Sequence, residues 1–157
     1  RMRTMVLDDM YARERFLFQL EWLLALEQRY HNVLQSGLVR VAYDPQDVHG
    51  LTFDAADAAT QLGKLMACLK SSFRSTDLVA REGMNFWILT PFTQLDPVMD
   101  KVRHVLTNAP ENGLAIAKSD IRVYLLRDHL KGGGAGHDKA QAFLAYLQQQ
   151  PASVNLE

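Results

Sequence analysis

The segment DLVAREGMNFWILTP, residues 77–91, limits this chain more than any other part of it. Two runs of strand-forming residues lie on either side of GMN. So short a link permits only antiparallel neighbours, which makes a hairpin. Helical patterns bracket it. Upstream, Leu62, Leu65, Met66, Leu69 and Phe73 recur at helical spacing behind Asp54, an expected N-cap with Asp57 three residues on. That helix is expected to stop near Ser72. Downstream, Asp96 is the expected N-cap and Pro97 the first helical residue, with Val98, Val102, Val105 and Leu106 on the buried face. GLVRVAY predicts a strand over 38–43, and GLAIA and DIRVYLL are two further strand candidates. The order strand, helix, hairpin, helix, strand predicts an α+β fold with a ferredoxin-like core, a central antiparallel sheet flanked by helices.

Additions extend this core at both ends. Residues 9–35 predict one long N-terminal helix with two apolar stripes, Phe16, Leu20 and Leu23 on one, Phe18, Trp22 and Leu26 on the other. Both stripes packing into the domain is one reading. The other gives one stripe to a second subunit or an attached domain. The loop DPQDVHG carries the turn formers Pro45 and Gly50. KGGGAGH marks a flexible break over 127–138, and a closing helix is expected over 139–149, ended by Pro151. The whole reads as a single domain over 1–157 with its core at about 7–126. RMRT at the start and LE at the end suggest a piece of a longer protein.

Composition narrows the function classes. The chain has 157 residues, 48% apolar and 22% charged, with a formal net charge of -1. That balance gives no general pull toward nucleic acid or anionic lipid. Cys68 is the single cysteine, so no internal disulfide forms, and a cytoplasmic setting is expected. No apolar run reaches membrane-spanning length. KGGGAGH lacks the Lys-Ser or Lys-Thr of a phosphate loop and reads as linker. His31, His49, His104, His129 and His137 show no paired ligand spacing, so no metal site is expected. No G-x-S-x-G elbow is present. RSTD, Arg74 to Asp77, is by itself a weak pattern, and its plain reading is a surface ion pair across a turn.

Two segments give that turn more weight. LDDMYARERFLFQL resembles the LTGLYNRRxFxxxL opening of GGDEF domains, the diguanylate cyclase fold. RSTDLVAREGMNFWILTP resembles their RxxDxxARYGGDEFxxLxP. The resemblance runs from about Leu7 to Leu126 and is to a degenerate member. The family joins two GTP molecules with two Mg²⁺ ions, which carboxylates hold while a glycine bend admits the phosphates. Here the second bend glycine is Met84, and neutral Asn85 stands at the acidic position. The strand-end aspartate aligns with Ala42, with Asp44 just beyond it. The guanine-gripping asparagine aligns with Ala12. The resemblance therefore implies no catalytic residues, no metal and no cyclase activity. A residual enzyme would have to draw on carboxylates such as Asp44 or Asp47.

Arg74 and Asp77 keep the family's R-x-x-D inhibitory-site pattern, which implies a binding site for cyclic di-GMP. An arginine fork suits the N7/O6 edge of guanine, and an aspartate accepts from its N1–H and N2–H₂. Arg103 is the candidate second arginine from the following helix, and Arg81 a further one. The expected function is a catalytically inactive cyclic di-GMP receptor. It would bind the ligand as a dimer and need no other cofactor. It would relay the signal to a protein partner or an attached sensor or effector domain, with exopolysaccharide and biofilm control as the implied process. The alternative is a nucleotide-independent interaction scaffold, including a homodimer through the N-terminal helix.

Overall fold

A computed structural model describes residues 2–30, 35–45, 54–130, 139–154 and 156. Within them, strands β1 (Gly37–Ala42), β2 (Leu78–Glu82), β3 (Asn85–Thr90) and β4 (Ile121–Leu125) form one antiparallel sheet in the order β2-β3-β1-β4. Helices α1 (Met2–Tyr30), α2 (Ala55–Ser72), α3 (Leu95–Asn108), α4 (Leu126–His129) and α5 (Ala140–Leu147) surround it. The strand order is the ferredoxin-like one, so the expected fold class holds.

Alternation along the strands explains the layers. Val39, Val41, Val79, Phe86, Ile88, Ile121 and Val123 point to one face, where Leu65, Leu69, Val98, Val102 and Val105 of α2 and α3 cover them. Leu38, Ala80, Trp87, Leu89 and Tyr124 point to the other, under Phe16, Leu20, Leu23 and Leu24 of α1 and Phe143 and Leu144 of α5. Because both faces are covered, NFWILT of β3 reads as a nearly unbroken apolar run.

The hairpin turns through two residues, since Glu82 pairs with Asn85. Gly83 at its first central position has φ 62, as a type II′ turn requires. Gly37 is needed for space. A Cβ there would lie 2.8 Å from the Thr90 hydroxyl, which donates to the Gly37 carbonyl.

Several boundaries differ from expectation. Asp54 caps α2 as expected, accepting from the Asp57 N–H at 2.9 Å. Asp96 is not a cap: Gln94 is the last extended residue, and Asp96 sits in the first turn of α3, where its charge suits the helix's positive end. GLAIA is not a strand. Gly113, in the left-handed region at φ 73, ends a 3₁₀ turn at Pro110–Asn112 and turns Leu114 into the core. The outer edge of β4 is met by Val154 instead. Residues 127–129, expected in the break, belong to α4. Residues 131–138 of that break, His31, His49 and His137, and the loop from Gln46 through Asp47 and Gly50, lie outside the described residues.

Candidate functional site

The corner between α2 and β2 is built on Asp77. Its backbone N–H donates to the Arg74 carbonyl at 2.9 Å, and its Oδ2 accepts from the Arg74 backbone N–H at 2.9 Å. The R-x-x-D spacing thus has a local cause, because the carboxylate closes the turn that ends α2. The Asp77 side chain is fully buried, and Lys101 of α3 reaches its Oδ2 at 2.9 Å. The Lys101 ammonium also lies 5.7 Å from the centre of the Phe73 ring, so it is held between an aromatic face and a carboxylate. The Arg74 guanidinium is half exposed. Its Nη2 donates to Thr93 Oγ1 at 2.7 Å, and its Nε stands 3.9 Å from Asp77 Oδ2.

Beside this corner lies a cleft of about 200 Å³ lined by Ala12 and Arg15 of α1, Lys70 and Phe73 at the end of α2, and residues 74, 75 and 77–79. Arg15, Lys70 and Arg74 give it three cationic walls. Its one lining carboxylate, Asp77, is already neutralised by Lys101. Asp77 Oδ1 is buried with no donor of its own. A buried carboxylate oxygen without a donor is costly and asks for one.

Arg74 and Asp77 are therefore brought together. Arg103 is not brought to them: it is exposed and pairs at 2.8 Å with Asp100 on its own helix. Lys101, two residues earlier, is the α3 cation that reaches the corner. Arg81 is exposed on β2 and donates to the Gly83 carbonyl at 3.1 Å, steadying the hairpin bend. Sequence reasoning missed Thr93, Lys101, Arg15 and Lys70.

The opposite end of the hairpin holds Ala42 and Asn85, the positions where the sequence resemblance implies lost carboxylates. They are cross-strand partners, so the two meet in space. Arg40 Nε donates to Asn85 Oδ1 at 2.8 Å. Arg13 of α1 forks onto Glu82, Nε to Oε2 at 2.7 Å and Nη2 to Oε1 at 3.1 Å. The Met84 side chain is exposed at the bend, and its carbonyl accepts from the Tyr43 N–H at 2.9 Å. The side chains around this end include the Arg13, Arg40 and Arg81 guanidinium groups, the neutral Asn85 amide and the Glu82 carboxylate, which is paired with Arg13, while exposed Asp44 follows β1. Among the described residues no group of three His, Cys, Asp or Glu side chains is placed to hold a metal ion. Cys68 lies on the buried face of α2, and burial raises its thiol pKa above the usual value despite the Ser72 hydroxyl.

No protein-family model matches the sequence, and no curated protein matches it. Solved structures do match. The GGDEF domain of PA1120 (YfiN or TpbB) from Pseudomonas aeruginosa is 19% identical, with a TM-score of 0.55 over 91% of this chain and 96% of that one. A shortened form of the same protein, comprising only the GGDEF domain, gives 17% identity and a TM-score of 0.54 over 89% and 86%. The diguanylate cyclase SiaD from the same organism, solved with its activator SiaC, is 19% identical, with a TM-score of 0.54. The match covers 87% of this chain and 54% of SiaD. The chain therefore has the GGDEF, cyclase-like fold. Among its described residues no helix is long and apolar enough to cross a membrane.

Proposed function

We propose that this chain is a catalytically inactive GGDEF-type domain that binds cyclic di-GMP at the Arg74–Asp77 cleft. The observation that carries the reading is a cleft in which Arg15, Lys70 and Arg74 converge beside the R-x-x-D turn, where the buried Asp77 Oδ1 has no donor. A guanine supplies N–H donors to that oxygen once the lining over it yields, and its phosphodiester meets the cations. Adenine offers no N1–H donor, so the aspartate discriminates between the bases. Two features of the bend support loss of synthesis. Magnesium-assisted phosphoryl transfer needs free carboxylates, and here Ala42 faces Asn85, with Arg40 bonded to the amide. Met84 puts a side chain where the backbone would have to approach a phosphate.

The signal would pass to a protein partner or an attached domain. SiaD was solved in complex with an activator protein, which supports a protein-partnered mode of action for this fold. Exopolysaccharide and biofilm control is the process the resemblance implies. Cytoplasmic placement belongs to the same reading.

Equilibrium dialysis of the intact chain against cyclic di-GMP tests it. Binding is expected, and Arg74→Ala should weaken it roughly tenfold or more, the worth of one charge-assisted contact. No binding, or equal binding by the variant, overturns the proposal. Incubation with GTP and Mg²⁺ should give no cyclic product.

One observation favours a second reading, an interaction scaffold. Phe18, Trp22 and Phe92 are exposed, and the Trp22 and Phe92 rings meet edge-to-face at 6.5 Å. Phe92 also holds φ 52, a conformation unusual for a phenylalanine. If this patch is an interface, for a second copy or another protein, Trp22→Glu abolishes association while nucleotide has no effect on it.

A further inference from the structure

We infer that Arg15 and Lys70 hold the phosphate of the ligand in this cleft and complete the site in place of Arg103, the second arginine expected from the sequence. The inference rests on the reading of the corner as a nucleotide site. Arg15 comes from α1 and Lys70 from the last turn of α2, so two elements bring their charges to one opening. Both side chains are exposed, and among the described residues neither has an ion-pair partner. Their positive charge is uncompensated. Arg103, by contrast, already has Asp100, and Lys101 has Asp77.

The geometry divides the labour. Asp77 Oδ1 is buried at the corner and takes a base N–H once the lining over it yields. Arg74 is tethered to Thr93 and so is fixed along the rim. Arg15 and Lys70 stand on the remaining sides, where the anionic part of a base-bound nucleotide emerges. A cleft of about 200 Å³ is smaller than the roughly 300–1,000 Å³ of pockets that enclose a whole ligand. It takes one guanine end with its phosphate and leaves the rest of a dinucleotide outside. Contacts of this kind are strong at low salt and screened as ionic strength rises.

Calorimetric titrations with two probes, cyclic di-GMP and inorganic pyrophosphate, separate this inference from the receptor reading. They use the full chain and its Arg15→Ala, Lys70→Ala and Arg103→Ala variants, each checked for an unchanged melting curve. Arg15→Ala and Lys70→Ala should each weaken cyclic di-GMP roughly tenfold at low salt and flatten its salt dependence. Arg103→Ala should stay within about twofold. Pyrophosphate, which carries no base, should bind more weakly and lose its binding in the same two variants. If cyclic di-GMP binds and neither variant changes it, the inference falls and the receptor reading stands. If pyrophosphate binds through Arg15 and Lys70 while cyclic di-GMP does not bind, the receptor reading falls and the phosphate site stands. Binding of neither probe overturns both.

Discussion

Asp77 serves two ends with two oxygens. Oδ2 closes the turn and pairs with Lys101, while Oδ1 is buried with no donor among the described groups. Because the pair is buried, removing one partner strands the other. Asp77→Ala should cost about 3 kcal/mol in a urea melt, and adding Lys101→Met should recover part of it. A loss below about 1 kcal/mol would mean that water already solvates the pair. At the bend, Gly83→Ala should cost about 1–2 kcal/mol in the same assay, since φ 62 crowds a Cβ. The Arg74–Asp77 pair was legible in the sequence because the two residues share one turn. Lys101 was not. It and Arg103 flank the core position Val102 at opposite sides of the helix, and helical spacing treats them alike. Which of them faces the corner depends on how α3 docks on the sheet, a property of the assembled layers. Arg15 and Lys70 were hidden for a similar reason, as exposed charges on separate helices carry no mark of their meeting.

At the scale of elements, α1 shows what periodicity can and cannot decide. Both stripes were plain in the sequence. The structure buries Phe16, Leu20 and Leu23 completely and leaves Phe18 and Trp22 exposed. Phe16→Ala should therefore cost about 3–5 kcal/mol, and Phe18→Ala less than about 0.5 kcal/mol, by chemical denaturation. Equal costs would place the second stripe in a core. The Arg13–Glu82 fork ties α1 to the hairpin, but both side chains are about a third exposed. Breaking it with Arg13→Ala should cost no more than about 1 kcal/mol, and less in high salt. The hairpin and α2 were legible because turn glycine, cap and stripe agree. GLAIA misled because a short apolar run suits a strand and a core-filling loop equally, and only Gly113, with its left-handed φ 73, distinguishes them.

For the whole molecule, pH offers a test of packing away from the cleft. His129 lies between the Tyr124 ring and Ser153, and burial lowers its pKa from the ordinary 6.5 despite the nearby Asp128 charge. The unfolded chain then takes up a proton that the folded one refuses. Stability should fall as pH drops below about 6.5, until the native pKa is reached. His129→Gln should flatten that slope in melts taken from pH 7 to 5, and an unchanged slope would assign it to other groups.

The larger account divides the molecule into two ends with opposite fates. One end of the hairpin carries a cleft with three cations beside the buried Asp77, and the other sets Ala42 opposite Asn85, with Glu82 paired to Arg13. A crystal structure of the chain grown with cyclic di-GMP, GTP and Mg²⁺ together tests this division most directly. The account predicts a guanine in the cleft donating to Asp77 Oδ1, with Arg74 alongside it and no ordered magnesium beside Ala42 and Asn85. GTP and magnesium ordered at that bend, with Asp77 Oδ1 still lacking a donor, would contradict it.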